Sequence, residues 1–171
     1  MITRSKSVAR VLLVRPGATE FDEQGRMKGS LDMPMSDKGR EQADHLAEQL
    51  CQFDLHTIYT APCESARETA ERLARDRRDA KIRVVDALRN VDHGLWHGKL
   101  IAEVQKNLPR VYKQGQDTPS DICPPGGESM REAKGRVMKA IQKILRKSSE
   151  DFVTIVIPEP LASVVHSLLN G

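Results

Sequence analysis

Two sets of side chains have residue types and spacing that could do chemistry. His93 and His97 lie four residues apart and, with Glu159, could hold a metal ion. Cys63 lies four residues before Arg67, whose positive charge would favour a reactive thiolate. Ordinary explanations compete with both, since glycines around His97 argue against a regular helix and cysteine is commonly a small buried hydrophobe. Both sets remain alternatives, and no metal or cofactor is expected.

The elements that must position these residues are strands alternating with helices. Apolar runs at residues 8–14 (VARVLLV), 56–60 (HTIYT), 82–85 and 152–157 (FVTIVI) predict strands. Apolar residues at helical spacing predict helices after the N-cap Ser36, at residues 66–74 and 128–147, and from Leu161 onward. This alternation predicts an α/β fold, a three-layer α/β/α sandwich whose mostly parallel sheet is buried on both faces. Because ligands bind beyond the carboxyl ends of such strands, the segments after Val14, Tyr59, Val85 and Ile157 should converge.

Composition limits the class of protein. The 171 residues, 39% hydrophobic and 30% charged, suit one domain over residues 1–171 and exclude collagen-like or disordered chains. No run is long and apolar enough for a membrane span, and the basic residues 1–6 lack the features of a signal peptide, so a cytoplasmic protein without a membrane partner is expected. Cys51, Cys63 and Cys123, without CxxC spacing, predict free thiols.

Two further sets of polar residues favour no special chemistry. The bases between Arg72 and Arg83 are interleaved with Asp76 and Asp79 and lack aromatic neighbours, so nucleic acid is not an expected partner. His45 and His166 fall within predicted helices, and we expect no chemistry from either.

Three stretches near the convergent segments resemble the histidine phosphatase superfamily, the phosphoglycerate mutase-like proteins. The first is the turn Arg15-Pro16-Gly17, with Thr19 also matching. The second is the "G…D.P.S..GR.QA" series that begins at Gly29, and the third is PPGGES at residues 124–129. The resemblance runs almost end to end and implies a phosphoglycerate mutase-like fold. It also implies a pocket containing Arg15, Gly17, Thr19 and Glu159.

The resemblance assigns each pocket position a role. In the family, a histidine in an Arg-His-Gly turn attacks phosphorus, two arginines neutralise the phosphoryl oxygens, a second histidine adds a donor, and a glutamate protonates the leaving oxygen. Only Arg15 keeps its residue type here, and Arg67 matches a family arginine that does not face the phosphate. The other positions hold Pro16 (nucleophile), Ser65 (second arginine), Asn90 (acid) and Glu159 (second histidine).

These replacements predict a protein that is not an enzyme. Proline has no lone pair for the nucleophile's role, and losing a nucleophile typically costs on the order of 10⁶ in rate. Glu159 would repel a phosphate by roughly 1 to 4 kcal/mol per charge pair at ~4 Å. The sequence thus favours a pseudoenzyme that binds a partner protein or a small anionic ligand. The alternative is a phosphomonoester phosphatase or mutase with weak or altered chemistry, using Arg15 or the group of His93, His97 and Cys63.

Further expectations concern association and packing. Family members often dimerise, so self-association through a homodimer is a third possibility. The turns after the first and last strands should bring Arg15 and Glu159 together as an ion pair that closes the former phosphate site. Trp96, the only tryptophan, should be largely buried near the pocket rim.

Overall fold

The part of the chain that the structure describes forms a sheet of four parallel strands. The computed structural model describes residues 10–107, 123–148 and 152–170. The strands are β1 (Arg10–Val14), β2 (Thr57–Thr60), β3 (Lys81–Val84) and β4 (Phe152–Val156), in the spatial order β1-β4-β2-β3. All neighbouring strands are parallel, which confirms the predicted α/β class. The start of the first predicted strand, at residues 8–9, and the basic segment at residues 1–6 lie outside the described residues.

The helices include every one predicted from the sequence. They are α1 (Glu20–Glu23), α2 (Asp37–Gln49), α3 (Glu64–Ala74), α4 (Ile101–Asn107), α5 (Met130–Lys147) and α6 (Leu161–Asn170). The Ser36 side chain accepts a hydrogen bond from the Gly39 N–H at the start of α2, and Ser129 does the same for Glu132 at the start of α5. The short helices α1 and α4 were not predicted, because one or two turns are too short to show a helical period.

The connections place helices on both faces of the sheet. Right-handed crossovers carry the chain from β1 past β4 to β2 and then to β3, which puts α2 and α3 on one face. The chain returns to β4 in the opposite direction, so α5 covers the other face, where α6 packs against it. The resulting three layers place the carboxyl ends of all four strands at one edge.

Burial is uneven across the sheet. In β4 the residues from Val153 to Val156 are buried, while all four residues of β3 are exposed and β1 is only partly buried. The prediction that every strand is buried on both faces is therefore wrong for β3, because it is an edge strand. Trp96 is buried, as predicted, in the short 3-10 helix Gly94–Trp96.

The three cysteines and the helices can be compared with the sequence-based expectations. Cys51 and Cys123 are exposed and Cys63 is half-buried, and all three are free, as predicted. Among the helices of the described segments, none is long and apolar enough to cross a bilayer.

Candidate functional site

Arg15 and Glu159 meet at the carboxyl edge of the sheet. Val14 and Val156 are partners in the β1–β4 ladder, and the Ile157 N–H donates to the Val14 carbonyl, so both strands end at the same level. The Arg15 Nη1 donates to the Glu159 Oε1 at 3.3 Å, which confirms the predicted ion pair. The expected closure of the site is wrong, because a single contact joins the side chains and Arg15 is 72% exposed.

The Glu159 carboxylate is oriented by the first turn of α6. Its Oε2 accepts a hydrogen bond from the Ser163 N–H at 3.1 Å, and its Oε1 accepts one from the Ser163 hydroxyl at 2.9 Å. A carboxylate at a helix N-terminus satisfies a main-chain donor and interacts favourably with the helix dipole. The carboxylate therefore has a defined position while remaining 39% exposed.

Asn90 lies beneath this pair. Its side chain is buried, and its Nδ2 donates to the main-chain oxygens of Gly29 (3.1 Å) and Glu159 (2.8 Å). Its Oδ1 is buried and has no hydrogen-bond partner among the described residues. Asn90 thus fastens the segment after β3 to the segment after β4, and both of its amide hydrogens are used in doing so.

The turn after β1 is held by close backbone packing. The Gly17 N–H donates to the Thr69 hydroxyl at 3.0 Å, and that hydroxyl donates to the Ser65 carbonyl at 2.7 Å. A Cβ on Gly17 would lie 2.3 Å from the Gly39 carbonyl oxygen, so only glycine fits there. Ser65 itself is buried, and its hydroxyl lies 3.8 Å from the Cys63 sulfur. This chain of bonds fixes the backbone that presents Arg15.

Asp22 lines the site, and the buried Thr19 behind it orients the Asp22 carboxylate. Thr19 is buried and caps α1, and its N–H and hydroxyl both donate to the Asp22 carboxylate. Lys28 donates to the same carboxylate at 2.6 Å. Burial alone would raise the pKa of Asp22, but the hydrogen bonds from Lys28 and Thr19 outweigh it and lower that pKa. Asp22 therefore stays ionised at neutral pH and fixes the Lys28 ammonium beside the site.

Arg15, Gly17, Asp22 and Glu159 border an open cleft of about 610 Å³. Its polar lining includes Arg15, Asp22, Lys28, Gln42 and Glu159, and leucines of β1 and α2 form its apolar side. The Gln42 Oε1 accepts a hydrogen bond from the Ala18 N–H. Sequence reasoning missed Lys28 and Ser163, whereas Gln42 is the glutamine of the "G…D.P.S..GR.QA" series. The capping-box spacing from Thr19 to Asp22 could have predicted where the Asp22 carboxylate lies, and this carboxylate positions Lys28.

The histidines stabilise a loop. The His97 Nε2 lies 3.2 Å from the His93 N–H and 3.6 Å from the Asp92 Oδ1. Burial is the main cause that lowers the pKa of His93, and the nearby His97 lowers it further. The negative charge of Asp92 raises this pKa by a smaller amount. Within residues 10–107, 123–148 and 152–170, no group of three or more His, Cys, Asp or Glu side chains could hold a metal ion. The metal site considered with Glu159 is not assembled in this part of the chain.

Of the remaining candidates, Pro16 and His45 line the same cleft as the Arg15–Glu159 pair, and His166 borders a neighbouring pocket together with that pair. The Arg67 Nη2 lies 3.8 Å from the Asp32 Oδ2, so its charge is balanced at the surface. His45 and His166 are exposed, and each contacts an amide side chain four residues later in its own helix. Pro16 follows Arg15 in the turn and is half-buried.

Sequence comparison identifies a family. The model of the histidine phosphatase superfamily (branch 1) matches residues 11–169. Phosphoserine phosphatase 1 of Hydrogenobacter thermophilus is 28% identical over 149 residues, which cover 87% of this chain and 70% of that protein. Glucosyl-3-phosphoglycerate phosphatase of Mycolicibacterium vanbaalenii is 30% identical over 143 residues, which cover 84% of this chain and 63% of that protein. The chain thus spans about two thirds of the length of these relatives.

Structural comparison gives the same fold. A mycobacterial glucosyl-3-phosphoglycerate phosphatase in complex with VO3 superposes with a TM-score of 0.85 and 26% identity, over 94% of this chain and 81% of that chain. The alpha-ribazole phosphatase of Shigella flexneri superposes with a TM-score of 0.83 and 22% identity, over 95% of this chain and 80% of that chain. The second likeness concerns the fold alone.

These names overturn the prediction that the chain is not an enzyme. The relatives and the structural neighbours are named as phosphatases, so the similarity points to a family of enzymes. Neither the comparisons nor the described residues show a loss of activity. The residues at positions 16, 65, 90 and 159 differ from the family's pattern in type, and it is the chemistry at those positions that requires explanation.

Proposed function

We propose that this chain, which belongs to the histidine phosphatase superfamily (branch 1), hydrolyses phosphomonoesters without a histidine nucleophile at position 16. The observation that carries the proposal is the exposed guanidinium of Arg15 at the mouth of the cleft, with the carboxylate of Glu159 beside it. One group can bind a phosphoryl oxygen, and the other can accept a proton. The pair therefore supports hydrolysis by water rather than through a phosphohistidine.

Arg15 is available to a substrate because its present partner holds it weakly. Exposed ion pairs contribute about 0 to 1 kcal/mol, and this one has a single contact. A phosphoryl group offers the planar guanidinium two oxygens at once, which gives a stronger, bidentate interaction. Lys28 lines the same cleft and adds a second positive charge for the phosphoryl oxygens, although Asp22 already balances part of it.

Glu159 takes the role of general base. Both hydrogen bonds from Ser163 hold the carboxylate in place, and its exposed fraction gives a water molecule access. The water oxygen attacks phosphorus while one water proton passes to the carboxylate and the phosphorus–oxygen bond to the alcohol breaks. The departing oxygen takes a proton from solvent, Glu159 gives its proton back to solvent, and the products are an alcohol and inorganic phosphate. Repulsion between Glu159 and a dianionic phosphate raises KM, which fits a weak phosphatase.

The leaving group is restricted by Asn90. This residue occupies the position where the family's pattern has an acid, and an amide cannot give up a proton at neutral pH. Both of its amide hydrogens also bind main-chain oxygens already. Esters whose leaving oxygen is stable without protonation, such as aryl phosphates, should therefore react faster than alkyl phosphates.

The test is a panel of phosphomonoesters that includes p-nitrophenyl phosphate and phosphoserine. We expect slow release of phosphate from the aryl ester, which Arg15→Ala abolishes. Arg67→Ala is the matched control, because Arg67 is a partly exposed arginine paired with Asp32 outside the cleft, and it should leave the rate unchanged. Glu159→Gln should lower kcat. The absence of turnover with every ester, or equal rates in the two arginine variants, would contradict the proposal.

A further inference from the structure

Helix α5 is the source of the molecule's positive net charge. It contains seven of the 27 Lys and Arg residues but one of the 24 Asp and Glu residues, which gives the helix a charge of +6. The chain as a whole has a net charge of +3, so the 20 basic and 23 acidic residues outside α5 sum to −3. The molecule is therefore electrically polar, with a basic helix on an otherwise acidic body.

The positive charges of α5 are concentrated on its outer side. Ala133, Val137, Ile141 and Ile144 point into the core, and the single acidic residue, Glu132, is engaged in capping the helix at Ser129. The second half of the helix exposes four bases that we call the basic face: Lys139, Lys143, Arg146 and Lys147.

The basic face borders a shallow groove in which no acidic side chain of the described residues lies. The groove, of about 380 Å³, is lined by the four bases and Gln142. None of the four forms an ion pair with any residue that the structure describes. Arg136 lies outside this face, since it is mostly buried against Glu128. Four charges without an ion-pair partner among the described residues, within about two turns of one helix, form a surface complementary to an anionic partner.

Apolar side chains are exposed at the same end of the molecule. Lys147 is separated from the first residue of β4 by residues 148–151, so the end of α5 lies near the amino ends of the strands. Helix α6 starts after β4 and runs back, which brings its last turn to that end as well. Leu168 and Leu169 in this turn are each 38% exposed. Bases beside partly exposed leucines are typical of a surface that lies on a membrane.

We propose that the basic face binds the surface of a bilayer containing anionic phospholipids. Each Lys or Arg near such a surface contributes about 1 kcal/mol to the free energy of binding, so the four together favour attachment to the bilayer. No aromatic side chain occurs in α5, so the helix offers no ring on which the nucleobases of a single-stranded nucleic acid could stack. The sequence-based expectation of no membrane partner rested on the lack of an apolar span, which peripheral binding does not require. The cleft, at the opposite edge of the sheet, stays open to solvent.

The experiment is co-sedimentation with large unilamellar vesicles of phosphatidylcholine alone or with 30% phosphatidylserine. We expect binding to the anionic vesicles at low salt and its loss at high salt. The variant with Lys139→Glu, Lys143→Glu and Arg146→Glu should lower the partition coefficient by about 100-fold or more. Its circular dichroism and melting temperature should match those of the parent, because these side chains are exposed and have no ion-pair partner in the described chain.

A control of equal charge uses exposed bases elsewhere on the molecule: Lys38 and Arg67 in the first turns of α2 and α3, at the carboxyl ends of the strands, and Lys99 in the loop before α4. Lys38→Glu, Arg67→Glu and Lys99→Glu together change the net charge by the same amount, and should alter binding by less than about fivefold because the screening length is about 10 Å. Equal loss in both triple variants would overturn the proposal, since only net charge would matter. Binding to poly(U) without binding to anionic vesicles would overturn it in favour of nucleic acid.

Discussion

The side-chain amide of Asn90 donates a hydrogen bond to the main-chain oxygen of Glu159 at 2.8 Å. These residues follow β3 and β4, which are separated in the sheet by β2. The bond therefore spans the floor of the site and fixes the backbone whose side chain pairs with Arg15. A residue type that breaks the family's catalytic pattern has a structural role here.

Asn90→Ala should reduce the free energy of unfolding by about 1 to 3 kcal/mol. The side chain is 4% exposed, and its removal leaves the Gly29 and Glu159 carbonyl oxygens without their donor. Urea unfolding measures the change. Asn90→Asp should be at least as harmful, since a carboxylate would face two carbonyl oxygens. An unchanged midpoint in both variants would show that these hydrogen bonds contribute nothing.

Glu159→Gln should strengthen anion binding at Arg15 while changing stability by less than about 1 kcal/mol. The ion pair is exposed, so its loss costs little, and the removed charge no longer repels a phosphate or sulfate. Isothermal titration calorimetry with sulfate measures the first effect, and urea unfolding the second. Glu71→Gln, at an exposed position of α3, is the control and should leave sulfate affinity unchanged. Weaker sulfate binding in Glu159→Gln would be inconsistent with this account.

Acidification through pH 6.5 should destabilise the fold through His93. Because burial lowers the pKa of this histidine below its usual 6.5, the unfolded chain binds the proton more readily than the folded one. The stability contribution is complete above 6.5 and is lost as pH falls through the folded value. His93→Gln should therefore reduce the fall in unfolding free energy between pH 7 and pH 5. His166→Gln, at an exposed histidine, should retain it.

Gly17→Ala should be strongly destabilising, by about 2 kcal/mol or more. The added methyl group would lie 2.3 Å from the Gly39 carbonyl oxygen and 2.5 Å from the Met35 sulfur. Gly135→Ala is the matched control, because nothing lies within 4 Å of its Cβ position and it is exposed within α5. There the same change should raise stability by about 0.5 to 1 kcal/mol. Thermal melts of both variants distinguish steric overlap from a general effect of removing glycine.

The fold was largely predictable because its signals are local. Ser36 and Ser129 cap the helices that the apolar spacing predicted, and the β4 run is buried as its composition indicated. The exposure of β3 was not predicted, because the apolar residues Ile82 and Val84 are of a type that is usually buried. The order of the strands places both at an edge of the sheet. Strand order depends on contacts between distant segments, which no local pattern contains.

The site was predictable where topology alone decides it. Parallel neighbouring strands bring Arg15 and Glu159 together, whatever their side chains are. The role of Asn90 was not predictable, because its partners are main-chain oxygens whose positions depend on the folded loops. The same holds for Ser163, which orients Glu159 across the start of α6.

The Glu159 carboxylate makes the protein its own competitive inhibitor. A group tethered beside a binding site acts at an effective concentration on the order of millimolar, and every anion that approaches Arg15 must displace it. Because this exposed pair has a single contact and contributes about 0 to 1 kcal/mol, the competition lowers the affinity for a free anion by up to about fivefold. Inorganic phosphate, the product, meets the same competitor as the substrate and is released more readily for it.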